Sequence, residues 1–187
     1  MVALPSLLVP ILVSAVLVFL ASFVTHMLLK YHWNDVAGVP DEPGVMDALR
    51  RFNIPPGDYM VPRAESPSAS KEPAFKEKLK RGPVVVMTVL PPGEFNMGKS
   101  LGQWFVIIVI ISLFAGYLAS RTLSPGAPYL SVFRVVGTVA FIGYAGGLWQ
   151  DSVWWSRKWS TTLKSTFDSL VYALLTAGVF GWLWPAA

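Results

Sequence analysis

The sequence contains no cysteine among its 187 residues. Without cysteine the chain can form no disulfide framework, no thiolate nucleophile, no iron–sulfur cluster, no cysteine-based zinc site and no c-type haem attachment. Histidine is nearly absent too, with two residues, His26 and His32. Any metal or haem ligation by imidazole therefore depends on these two side chains.

Charged residues are also scarce. Lys, Arg, Asp and Glu make up 14% of the chain, whereas 53% of the residues are apolar. Soluble domains carry about 25% charged residues. This composition excludes a disordered chain, a nucleic-acid-binding module and most soluble enzymes. We therefore expect the lipid bilayer, and no nucleic acid, as the main partner.

Four apolar segments are long enough to cross a bilayer, whose core of about 30 Å requires about 20 helical residues. The last three are joined by short connections, so residues 100–187 are expected to form an antiparallel three-helix transmembrane region. The sequence predicts an all-α integral membrane protein with four transmembrane helices. Their predicted bounds are about 1–29, 101–120, 129–150 and 162–184.

Residues 30–99, between the first and second spans, form a loop domain of different composition. This segment holds 10 of the 15 basic and 9 of the 11 acidic residues, together with many prolines. It must therefore lie in water or among lipid headgroups. The predicted elements are a short helix at 41–53, a basic surface helix at 71–81 and a β-strand at 83–90, with 59–61 as the available partner strand.

The basic residues also predict the orientation. Thirteen of the 15 lie in loop 30–99 or in the connection 151–164, which share one side of a four-span protein. The positive-inside rule places this side in the cytoplasm. We therefore expect a multi-pass protein of the bacterial plasma (inner) membrane with both termini outside.

Small residues recur every four positions along the fourth span. Such spacing lets helix backbones approach closely in lipid. The contact is either packing inside the bundle or an interface with a second copy or another membrane protein. The helix-packing candidates are Ser165, Ser169, Ala173, Ala177 and Gly181, with Gly143 and Gly147 on the third span.

Asp168 is the most informative ionisable residue, because an acid inside a membrane is by default a functional candidate. If the fourth span begins at Lys164, however, Asp168 lies in its first turn, where the helix dipole favours an anion at the interface. Asp168, Tyr172 one turn later and Arg134 could alternatively line an ion path.

His26, His32 and Asp35 form an H-x5-H-x2-D pattern that could supply two imidazoles and a carboxylate to a metal. The spacing is unfavourable on a continuous helix, because six residues rotate 600° and leave the two rings about 120° apart. No other recognised metal, nucleotide or hydrolase motif is present. Two interfacial histidines without a bound ligand are the simpler interpretation, so we predict no catalytic residue, no metal site and no cofactor.

These features give three function hypotheses. The leading one is a non-catalytic assembly, accessory or regulatory membrane subunit, based on the small-residue stripe and the absence of catalytic motifs. The second is a small channel or transporter using Asp168, Tyr172 and Arg134. The third is a membrane metal-binding protein or enzyme using His26 and His32.

Overall fold

The computed structural model of the chain describes residues 1–94 and 96–187 and is mostly helical, at 65%. It contains two compact units. Residues 1–37 and 96–187 form a helical unit, and residues 38–95 form a smaller unit. The helices in chain order are α1 (Leu8–Phe23), α2 (Glu42–Arg50), α3 (Pro73–Arg81), α4 (Met97–Thr122), α5 (Tyr129–Ala145), α6 (Leu148–Trp154) and α7 (Trp159–Trp182).

Within residues 1–94 and 96–187, three helical segments are long and apolar enough to cross a membrane: Leu4–Leu28, Met97–Thr122 and Tyr129–Trp154. The first consists of a 3-10 turn, α1 and a π-helical turn, and the third combines α5 with α6. The prediction of a helical chain with apolar helices of membrane length is confirmed. α7 has 24 residues. It is less apolar, because its first half carries Lys164, Asp168 and several hydroxyl side chains.

The four long helices form a bundle in which α1 contacts α4 and α7, and α5 contacts the same two helices from the other side. The core contains Leu7, Ile108, Val136 and Phe180, all fully buried. Burial of side chains of this size contributes about 1.5–3 kcal/mol each relative to exposure in water. In a membrane the same contacts act mainly through close packing.

The small residues of α7 lie inside this bundle. Ser169, Ala173 and Ala177 are buried. A Cβ built on Gly137 of α5 would lie 3.2 Å from the Ala177 Cβ, and one built on Gly181 would lie 2.6 Å from the Tyr129 ring. The stripe therefore packs against α5 of the same chain. Ser165 is half-buried, Gly143 packs on Ile111, and Gly147 has open space around its Cα.

The smaller unit contains α2, α3 and a two-stranded antiparallel sheet. Its strands are β1 (Gly57–Val61) and β2 (Val85–Val89), with Tyr59 opposite Met87. α2 begins after Asp41, whose side chain accepts a hydrogen bond from the Gly44 amide at 3.3 Å. The predicted strand thus has its predicted partner, and both short helices lie within their predicted ranges.

Candidate metal centre

The end of the first apolar helix brings the two histidines together. After α1 the chain makes a π-helical turn, Val24–Leu28, a feature frequent at functional sites. Lys30 then adopts a left-handed conformation, with φ +53°, and the chain reverses. The rings of His26 and His32 consequently stack, with centroids 4.5 Å apart and planes 8° from parallel. The expected 120° separation is wrong because the helix ends between the two residues.

Asp168 lies deeper in its helix than the sequence suggested. α7 begins at Trp159, so Asp168 is its tenth residue, about 14 Å from the helix start at 1.5 Å per residue. The helix-dipole effect falls off within the first turn. The prediction that Asp168 occupies the first turn is therefore wrong. Its side chain is buried and accepts hydrogen bonds from the Tyr31 hydroxyl and from His32.

His32 lies between two carboxylates. Its Nδ1 is 2.6 Å from an oxygen of Asp35, and its Nε2 is 2.7 Å from an oxygen of Asp168. An ionised carboxylate can only accept hydrogen bonds, so His32 is held between two acceptors.

Lys164 of α7 also bonds the turn that contains Tyr31 and Asp35. Its Nζ donates to the Tyr31 carbonyl at 2.6 Å and to the other Asp35 oxygen at 2.7 Å. Burial raises the pKa of Asp35, but the hydrogen bonds and positive charges of Lys164 and His32 outweigh it and hold the pKa below its ordinary value. This carboxylate is thus held in its charged form by its hydrogen bonds to Lys164 and His32.

Each imidazole has a hydrogen-bond acceptor beside its Nδ1, as metal-binding histidines do. His26 Nδ1 lies 3.1 Å from the Ser22 carbonyl oxygen and 2.9 Å from Thr25 Oγ1. In the tautomer that donates from Nδ1 to the carbonyl, Nε2 keeps its lone pair. His32 Nδ1 donates to Asp35. Histidines that bind metals almost always donate their other N–H to a carbonyl or carboxylate, which fixes the tautomer and the ring orientation.

One potential ligand atom each from His26, His32 and Asp168 lies within 4.8 Å of the others. Ligands bound to one zinc ion lie nearer about 3.3 Å apart. To bind one ion, the set would have to contract and one of the two stacked imidazoles would have to turn, because ring lone pairs lie in the ring planes. Two nitrogens and one carboxylate oxygen suit catalytic zinc and mononuclear non-haem iron. Asp35, the predicted third ligand, contacts His32 from the opposite side and orients it.

The predicted ion-path residues separate into two groups. Asp168 and Tyr172 both line one cavity, and the Tyr172 hydroxyl lies 3.0 Å from Thr25 Oγ1, next to His26. Arg134 is exposed on α5 and does not line that cavity. Only the first two residues therefore belong to the site.

Sequence reasoning missed several members of the site. Tyr31 and Trp104 were not among the predicted site residues, yet Tyr31 donates to Asp168, and the Trp104 indole donates to Ser22 Oγ at 3.0 Å. The sequence does contain a signal that could have placed Lys164 near the site. Lys164 precedes Asp168 by four residues, so the two side chains share one helix face.

Comparison of the chain with protein families, with curated proteins and with solved structures gives no match. No family therefore supplies roles for these residues. The case for a function rests on the side chains around Asp168 and on the cavity beside them.

Proposed function

We propose that this chain is an integral membrane protein that binds a divalent transition-metal ion through His26, His32 and Asp168. The observation that carries the proposal is the protein partner on Nδ1 of each imidazole: the Ser22 carbonyl for His26 and Asp35 for His32. Such partners are characteristic of metal-binding histidines. An unliganded pair of surface histidines has no need of this arrangement.

The proposed site has three protein ligands, which is the number found in catalytic rather than structural zinc centres. A fourth coordination position then remains open to water or substrate. His26 and Asp168 both line the cavity beside the cluster, so the open position would face that space. Metal-assisted chemistry on a molecule held in the cavity is the activity that this geometry favours.

The same proposal treats α7 as a fourth transmembrane helix. Its 24 residues span about 36 Å, more than the hydrocarbon core of about 30 Å. Its polar residues Thr162, Asp168, Ser169 and Thr176 are buried, so they would not meet lipid. With four spans, the proposed topology is a bacterial inner-membrane protein with both termini outside and residues 30–99 in the cytoplasm.

The assembly-subunit and ion-path hypotheses receive less support. The first depended on the α7 stripe, which packs against α5 of the same chain at Gly137 and Tyr129. The second used Asp168 and Tyr172 together with Arg134, and Arg134 does not line the cavity. Metal binding, by contrast, draws on contacts from α1, the following turn and α7 together.

The test is metal binding by the chelator-treated, full-length protein in an uncharged detergent. Titration calorimetry with Zn²⁺, and anaerobically with Fe²⁺, should give one ion per chain. Asp168→Asn should weaken binding by roughly 100-fold or more, because loss of an outer-shell partner alone already costs roughly 10–100-fold. His26→Gln should have a comparable effect.

Asp151→Asn is the matched control, because Asp151 is also a carboxylate of the helical unit but contacts Arg157 at 3.6 Å, outside the cluster. Its metal affinity should equal that of the unaltered chain. Equal binding by the Asp168→Asn and Asp151→Asn proteins, with both folded by thermal melting, would refute the site.

A further inference from the structure

The cavity beside the cluster has a volume of about 550 Å³ and lies among α1, α4, α5 and α7. This is within the range of about 300–1,000 Å³ that small-molecule pockets occupy. Exposed apolar side chains form much of its lining, including Phe23, Met27, Leu101 and Ile107. In a membrane these residues would face acyl chains, so a lipid-soluble molecule could enter from the bilayer.

Three aromatic rings line this cavity side by side. The centroids of Trp104 and Tyr144 are 6.3 Å apart, those of Trp104 and Tyr172 are 6.1 Å apart, and those of the two tyrosines are 5.6 Å apart. Indole and phenol faces attract cations, and groups of such rings recognise substituted ammonium ions. The rings come from three different helices, so the bundle itself assembles the group.

Asp168 is the acidic residue of the described lining, which contains no Lys or Arg but does include His26. Lys164 and His32, which bond the carboxylates of the cluster, are not part of the lining. An anionic head such as a phosphate or carboxylate would be repelled by the Asp168 carboxylate on the cavity side, where no Lys or Arg lines the space, whereas an organic cation would be attracted to it.

We propose that this cavity binds an organic cation with apolar substituents, its charge near Asp168 and its apolar groups among Trp104, Tyr144 and Tyr172. The cation site deepens the proposed function, since Asp168 belongs to both and a bound metal ion would compete with the cation. It does not require the metal. The cation could be a free amphiphilic ammonium compound or the choline head of a lipid, which share this chemistry.

The probe is tetraphenylphosphonium, an apolar cation that cannot donate hydrogen bonds. Its binding to the full-length protein is measured by equilibrium dialysis in maltoside detergent with a chelator present. We expect saturable binding at one site per chain. Zn²⁺ added without chelator should reduce probe affinity, whereas a failure of Zn²⁺ to bind would overturn only the metal proposal and leave the chelator result intact.

Two matched pairs of variants test the two attractive features. Trp104→Leu should weaken binding by roughly tenfold or more, the factor that a desolvated cation–aromatic contact supplies. Trp149→Leu should not change it, although the Trp149 indole also donates to a hydroxyl, that of Thr166 at 3.1 Å, and Trp149 lies outside the cavity. Asp168→Asn should weaken binding similarly, and Asp151→Asn should leave it unchanged.

Trp104→Phe, which retains an aromatic face, should recover much of the affinity lost in Trp104→Leu. The proposal is overturned if the unaltered chain shows no saturable binding. It is also overturned if an uncharged probe of similar size, triphenylphosphine oxide, binds as tightly, or if Trp104→Leu and Trp149→Leu behave alike. The natural ligand is distinguished by competition in nanodiscs. If phosphatidylcholine displaces the probe and phosphatidylglycerol does not, the site binds the choline head of a lipid. If neither lipid displaces the probe, the site binds a free organic cation.

Discussion

His32 and Asp168 lie 136 positions apart and are joined by a 2.7 Å hydrogen bond from the imidazole Nε2 to a carboxylate oxygen. Tyr31 donates to the same carboxylate, and Lys164 reaches back to the Tyr31 carbonyl. Hydrogen bonds are therefore donated both from the turn after α1 to α7 and from α7 to that turn. Because the candidate ligands also join two elements, every functional variant needs a separate measurement of folding.

Removal of the Asp35 carboxylate should weaken metal binding although Asp35 is not a proposed ligand. In Asp35→Ala, His32 loses the acceptor that fixes its Nδ1 proton, and Lys164 loses its ionic partner. We expect Zn²⁺ affinity to fall by roughly 10–100-fold, as for other outer-shell partners, in calorimetric titration. Asp151→Ala should retain full affinity. An unchanged affinity in Asp35→Ala would show that His32 is oriented by other contacts.

Low pH should destabilise the turn that contains Asp35. The pKa of this carboxyl is held below its ordinary value of 3.8, so its contribution to stability is complete above that pH and is lost as the pH falls through the lower folded pKa. The melting temperature should therefore fall more steeply below pH 4 for the unaltered chain than for Asp35→Asn, which lacks the titrating group. Parallel curves for the two proteins would contradict this assignment.

Composition and hydropathy were enough to predict the architecture of the helical unit. The apolar runs before Lys30 and after Lys99 contain no charge over a membrane-spanning length, and each becomes a helix. The strand at Val85–Val89 was also predictable, because its β-branched residues lie between prolines and one short segment could pair with it. These elements depend on local composition, which the sequence displays directly.

The cluster was not predictable, because it depends on where one helix ends. The angle between His26 and His32 was derived for a continuous helix, whereas Lys30 reverses the chain between them. Nothing in the sequence pairs His32 with Asp168 at a separation of 136 residues. The depth of Asp168 was misjudged for a related reason, since α7 starts five residues before Lys164. Tertiary contacts decided both points.

Gly116 should tolerate no side chain, because α4 passes close to two buried residues there. A Cβ at this position would lie 2.9 Å from a ring carbon of Phe180 and 3.6 Å from a methyl of Leu7, both fully buried. Gly116→Ala should therefore lower the melting temperature, despite the better helix propensity of alanine. Gly102→Ala, in the same helix with nothing within 4 Å, should not lower it. Equal melting of both variants would mean that Phe180 can move aside.

The proposed topology can be checked with reporters that distinguish the cytoplasm from the periplasm. A fusion within the exposed segment around Ser68 should report the cytoplasm, because loop 30–99 carries most of the basic residues. A fusion after Ala187 should report the opposite side if α7 crosses the membrane. A cytoplasmic signal from both fusions would contradict the fourth span and would mean that α7 does not cross the membrane.

Ala173 provides the most direct test of how α7 packs. Its side chain is 2% exposed and belongs to a core group with Val18, Ala140 and Tyr144, whereas the neighbouring Leu174 is 46% exposed. Ala173→Leu adds three carbon atoms to a closed contact, which typically costs about 1–3 kcal/mol. Leu174→Phe enlarges a side chain that lipid can surround, so its cost should be small.

The two variants are compared by melting temperature and by size-exclusion chromatography in detergent. We expect Ala173→Leu to melt at a lower temperature with its elution volume unchanged, because the contact lies within one chain, and Leu174→Phe to match the unaltered protein. Equal melting of both variants would place the stripe against lipid. A normal melt with a shift to a smaller species for Ala173→Leu would place the stripe between subunits, and would restore the assembly-subunit hypothesis over packing within the bundle.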